Sequence, residues 1–209
     1  MGGQILRHVY GKEYAYGFVP MFWMDNENNV PTFFATALLL YAALSLWIVG
    51  RALRSAGKPW SGHWLFLAIV FLLLALDEAA SLHEMLIDPM QGAVGGTSGI
   101  FYFAWIIPAL VVVSVLGICY LPFLRAAPRR TRNLMLLAGA LYVGGAVGFE
   151  ILEGLMLGGG AGPSLTLSTL VMLEETAEML GVIVLAHAAL THLAAEHMLV
   201  ELELRAGSA

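Results

Sequence analysis

Five stretches of this chain, at about residues 31–53, 64–87, 99–124, 133–157 and 165–193, are apolar almost throughout. Each is long enough to cross the hydrocarbon of a bilayer as a helix, which takes about 20 mostly apolar residues. Lipid cannot satisfy bare backbone polar groups, so such segments must close their own hydrogen bonds as helices. The reading that follows is an all-α polytopic membrane bundle of five transmembrane helices. Composition agrees, since only 12% of residues are charged against roughly 25% in soluble domains. With 10 Lys and Arg against 15 Asp and Glu, no nucleic-acid partner is expected, and the principal partner is the lipid bilayer. Cys119 is the sole cysteine, so no intrachain disulfide can form.

Helix breakers separate the runs: Asp88-Pro89, Gly95-Gly96 and the segment GGGAGPS. Asn29 followed by Pro31 reads as an N-cap with proline in the first turn of span one. Pro108, placed inside span three, is expected to kink it. Arg51, Arg54 and Lys58 fall between spans one and two, and Arg125, Arg129, Arg130 and Arg132 between three and four; the other two loops carry no Lys or Arg. By the positive-inside rule the basic loops are cytoplasmic, the N-terminus is outside and the C-terminus cytoplasmic. Trp23 at the outer boundary and Trp47, Trp60 and Trp64 at the inner one fit interfacial belts. The expected organisation is an extracytoplasmic interfacial segment at 1–30, the bundle at 31–193 and a cytoplasmic tail at 194–209, in the plasma (inner) membrane.

The spans also contain eight acids and no interior Lys or Arg: Asp77, Glu78 and Glu84 in span two, Glu150 and Glu153 in span four, Glu174, Glu175 and Glu178 in span five. Each ionised group costs roughly 2.5–3.5 kcal/mol near the bilayer centre. The sum, of order 15–20 kcal/mol, exceeds the usual net stability of a domain. In the topology above all eight lie in the outer half of the membrane, and at about 100° per residue each helix presents one acidic face. Turning the three faces together allows two remedies, shared protons or bound cations, and eight acids at one depth favour cations. The expected metal ligands are therefore Asp77, Glu78, Glu84, Glu150, Glu153, Glu174, Glu175 and Glu178. His83 points about 100° from Glu84 on an ideal helix and joins them only if span two distorts near its end.

Oxygen ligands suit divalent Ca, Mg or Mn, and Glu-rich bundles also hold paired Fe or Mn ions. Zn is a further candidate. The bundle signature Glu-x-x-His is missing, and ExxE occurs twice instead. In EETAEM, Met179 stands where the CAAX-type intramembrane proteases have arginine, which excludes that family. Ala140, Gly144 and Gly148 form a small-xxx-small stripe suited to a close helix contact, within the bundle or with another protomer.

The segments DNENNVPTFF, LDEAASLHE and VMLEETAEMLG resemble an uncharacterised group of multi-pass bacterial membrane proteins, and that resemblance implies no function. Three functional classes remain. One is a metal-dependent oxidoreductase or hydrolase acting on a lipid-soluble or periplasmic substrate, with its cleft between spans one and three near Tyr41, Tyr102 and Trp105. Another is a divalent-cation or proton-coupled transporter. The third is a non-catalytic subunit of a larger membrane complex, with a homo-oligomer or partner membrane subunits.

Overall fold

The computed structural model describes residues 2–24, 26, 28–86, 89–90, 92 and 102–196. Asp25, Glu27, the Gly95-Gly96 turn and the tail from 197 lie outside the described residues, as does the side chain of Glu84. The elements are α1 (Gly2–His8), a 3-10 turn (Ala15–Gly17), α2 (Phe18–Met21), α3 (Val30–Ser55), α4 (Ser61–Ala80), a 3-10 turn (Glu84–Leu86), α5 (Ile106–Ala126), α6 (Arg129–Val143), a π-helical segment (Gly144–Phe149), α7 (Glu150–Gly158) and α8 (Leu165–Ala195). No strand occurs among the described residues. Among the described residues, five helical stretches are long and apolar enough to cross a membrane: α3, α4, α5, α6 through α7, and α8.

Local chemistry sets the helix ends. Asn29 caps α3 as the sequence suggests, its Oδ1 accepting the Thr32 amide at 3.1 Å, with Pro31 in the first turn. Ser164 does the same for α8, accepting from the Leu167 amide at 3.2 Å. Span two ends earlier than its hydropathy suggests, at Ala80 instead of near 87. Ser81 takes a left-handed conformation, φ 49°, and reverses the chain. Span three starts later, at Ile106. Pro108 therefore occupies its first turn, where no amide is needed for the helical ladder, and does not break it. The proline within the helix proper is Pro122.

The core lies between α3, α4 and α8, where Leu39, Ala42, Leu46, Val49, Trp64, Ala68, Ala188 and Ala189 are buried. Small residues let these helices approach. A Cβ on Gly50 would come within 2.6 Å of Leu65 Cγ, and one on Gly181 within 2.8 Å of the Tyr142 amide nitrogen. The Ala140, Gly144, Gly148 stripe is not the contact inside the bundle: these residues are exposed, and nothing lies within 4 Å of a Cβ on Gly144 or Gly148. Gly145 and Gly181 carry the close approach instead.

The two ends of the bundle are closed differently. At the end bearing the basic loops, Trp64 stacks on His192 (centroids 5.0 Å, 22°). His192 Nδ1 lies 3.2 Å from Thr131 Oγ1, the Tyr120 hydroxyl donates to the His63 carbonyl at 2.7 Å, and Lys58 pairs with Glu196 at 2.9 Å. Trp64 is thus a buried packing residue and not part of an interfacial belt. At the opposite end the N-terminal segment folds onto α8, with His8 Nε2 3.0 Å from Ser168 Oγ. The Arg7 guanidinium lies 3.7 Å above the ring of Trp23, a cation–π contact. Trp23 is buried by it, again in place of a belt position. Tyr10, Tyr14 and Tyr16 of the same segment are exposed.

A candidate acidic site

The acids reach their positions through three local devices. The first is the end of α4. Asp77 Oδ1 accepts the His83 backbone amide at 2.8 Å, and its Oδ2 lies 3.1 Å from His83 Nδ1. One carboxylate therefore ties down the reversed chain and brings His83 back beside the last turn of the helix. The distortion that His83 needed to join the acids is present. Replacing Asp77 with alanine removes both bonds, at a cost of about 1–2 kcal/mol. Hydrogen exchange at residues 81–86 should speed up in Asp77→Ala; an unchanged rate would mean that the turn is held by something else.

The second device is the π segment at Gly144–Phe149. Its i→i+5 bonding inserts roughly one residue without a matching rotation. On an ideal helix Glu150 would lie about 140° from Gly145 and Glu153 about 80° from it. Removing one residue's rotation brings them to about 40° and about 20°, onto the face that meets α8. Glu153 is accordingly buried, 6% exposed, and shares a hydrogen bond with Glu174 across the helix interface. Glu150 turns toward α5, where Trp105 Nε1 donates to its Oε1 at 2.7 Å.

The third device is the bare backbone at Gly145. A Cβ there would lie 2.8 Å from Glu178 Cγ and 3.1 Å from the Glu174 carbonyl. Glycine is what lets the Glu178 side chain pass between the helices. Glu178 is then within electrostatic range of Glu175, Glu78, Glu150 and Asp77, and Glu174 within range of Glu153, Glu178 and Glu150.

Asp77, Glu78, His83, Glu150, Glu174, Glu175 and Glu178 all line one cavity of about 620 Å³, within the usual range for small-molecule sites. It lies between α4, α5, α6 with α7, and α8, and no Lys or Arg is among its lining residues. Glu153 stands behind this wall, bonded to Glu174. The acids face one another across the cavity without converging: among the described residues no three His, Cys, Asp or Glu side chains form a metal-holding group.

The expected cleft between spans one and three is not where the structure puts the space. Trp105 does line the cavity, but its other walls are spans two, four and five. Tyr41 borders a separate shallow pocket with His187 on α8. Sequence reasoning also missed Tyr142, which lines the cavity within electrostatic range of Glu178, Glu78, Asp77 and Glu175. On an ideal helix Tyr142 is about 80° from Glu150; the π segment closes that to about 20°. No signal in the sequence marks the π segment except the density of glycine in GGAVGF.

No curated protein matches the chain, and no solved structure matches it. A family model described as a domain of unknown function, DUF8692, matches residues 5–193. The match takes in all five apolar helices and every acid of the cavity, and the chain belongs to this family.

Proposed function

We propose that the chain is an integral membrane protein of the plasma (inner) membrane whose acid-walled cavity binds a divalent cation. It uses that cation as a metal-dependent oxidoreductase or hydrolase on a lipid-soluble or periplasmic substrate. One observation carries the reading: six carboxyl groups from three candidate spans line a single cavity with no Lys or Arg among its walls. Burying so much like charge without a base needs protons or cations. Oxygen donors favour Fe, Mn or Ca over Zn. The orientation that places the acidic end outside rests on Arg51, Arg54, Lys58, Arg125, Arg129, Arg130 and Arg132 lying at the other end. A metal held there would polarise a substrate oxygen or lower the pKa of a bound water.

Elemental analysis by mass spectrometry of protein purified in detergent without chelators tests this. Near-stoichiometric Fe, Mn or Ca supports the reading. Metal-free wild-type protein sinks it and leaves the proton-sharing alternative, with proton-coupled flux in liposomes as the assay. A transporter fits less well, because the cavity becomes apolar toward Leu116, Leu124 and Leu185. The subunit reading has one specific support, the exposed stripe of Ala140, Gly144 and Gly148, whose open surface suits a partner helix.

A further inference from the structure

The cavity has two chemically distinct halves. One end is bounded by Asp77, His83, Trp105, Glu150 and Glu174, and the other by Leu67, Leu116, Leu124, Met135 and Leu185. A solvent-filled ion site has no use for the second half. Its existence follows from how α5 is held. The buried residues of that helix are Ile106 at one end and Tyr120 and Phe123 toward the other, while every residue from 107 to 119 is exposed or half-buried. Pinned near its ends and standing off in the middle, α5 presents Ala109, Val112, Leu116 and Tyr120 to the gap, an i, i+3, i+4 stripe. Two glycines widen the space further. Gly117 on α5 and Gly139 on α6 both line the cavity, and a Cβ on either would meet nothing within 4 Å. An apolar gap of this kind inside a bundle forfeits packing contacts, unless an apolar chain occupies it.

We infer that the cavity binds a single-chain amphiphile, its hydrocarbon chain lying between α5 and α6 and its head, an amine or alcohol, among the carboxyl groups. Charge decides the head. An anionic head would meet six carboxyl groups, no Lys or Arg of the cavity wall and only the two positive charges of one divalent cation, whereas an amine or hydroxyl donates hydrogen bonds to the carboxyl groups that the cation leaves free. The inference rests on the function proposed above and names its substrate class: the amphiphile's head is delivered to the acids and the metal, and its chain is held away from them.

The test is photolabelling of the full chain in nanodiscs by a long-chain primary amine carrying a diazirine in its chain, with the matching fatty acid as comparison. Labelled sites are read by peptide mass spectrometry. Labels should concentrate on residues 109–120 and 135–147, be displaced by excess unlabelled amine, and be at least fivefold weaker for the fatty acid. A Gly117→Leu, Gly139→Leu double variant fills the gap where nothing stands in the way. Leucine is also the better helix former, so its Tm should not fall while labelling drops about tenfold. Undisplaced labelling spread over outward residues such as Ile69 and Leu72, unaffected by the double variant, overturns the inference. Equal labelling by the fatty acid overturns the head assignment. Running the same experiment with chelator separates the two readings. Specific labelling of a protein that never holds metal refutes the metal reading alone, and stoichiometric metal without specific labelling refutes the amphiphile alone.

Discussion

Gly181→Ala should lower the stability of the bundle by roughly 3 kcal/mol, a fall in Tm of roughly 6–12 °C. The added methyl would lie 2.8 Å from the Tyr142 nitrogen, 2.9 Å from the Ala138 carbonyl oxygen and 3.0 Å from Tyr142 Cβ. Two of these three atoms are backbone in the middle of a helix, so no side-chain rotation relieves the overlap. α6 and α8 must separate, and the buried faces carrying Ala138, Val182 and Leu185 separate with them. Gly139→Ala is the control, one position along α6 from Ala138, where a Cβ meets nothing within 4 Å. It should keep or slightly raise the Tm through helix propensity. Equal thermal stability of Gly181→Ala and the wild type would mean that the two helices are farther apart than described.

On the proposed metal reading, the Glu150→Gln, Glu178→Gln double variant should bind the cation roughly a hundredfold or more weakly. Loss of a ligand exceeds the ten- to hundredfold effect typical of second-shell changes. Glutamine preserves shape and keeps an oxygen to accept from Trp105 Nε1, which now bonds Glu150 at 2.7 Å, so the packing around α5 stays. What disappears is two negative charges from a cavity whose other lining carboxyl groups are Asp77, Glu78, Glu174 and Glu175. Compared with wild type stripped of metal, the Tm should stay within a few degrees or rise, because like charges in a poorly solvated space destabilise the fold. Metal retained at wild-type stoichiometry would remove both residues from the ligand set.

Much of the architecture is legible without coordinates. Transfer of apolar side chains into lipid is a local, additive property, so runs of hydropathy identify five helices. Capping is local too, and Asn29 announces the start of α3, while the Ser164 cap of α8 emerges only in the structure. Boundaries set by longer-range contacts are not legible in this way. Span two stops at Ala80 because the Asp77 carboxylate prefers the His83 amide six residues on, and hydropathy has no term for that choice. The same residue shows the limit of reading acids as ligands. One of the eight candidates is at least partly engaged in terminating a helix, and another pair, Glu153 with Glu174, is engaged in joining two.

The azimuths within span four do not follow from the sequence, for a physical reason. A helical wheel assumes i→i+4 bonding at every turn, and the π segment violates it at the point where α6 passes α8. That segment coincides with Gly145, whose bare backbone admits Glu178. The sequence by itself determined that five apolar helices exist and that acids without an interior Lys or Arg fall along them. Tertiary structure alone decided which acids face the cavity, that Tyr142 and Trp105 join them, and that α5 stands off to leave an apolar gap. Each of those depends on where one helix meets another, and steric contact between residues far apart in the chain leaves no periodic trace in either of them.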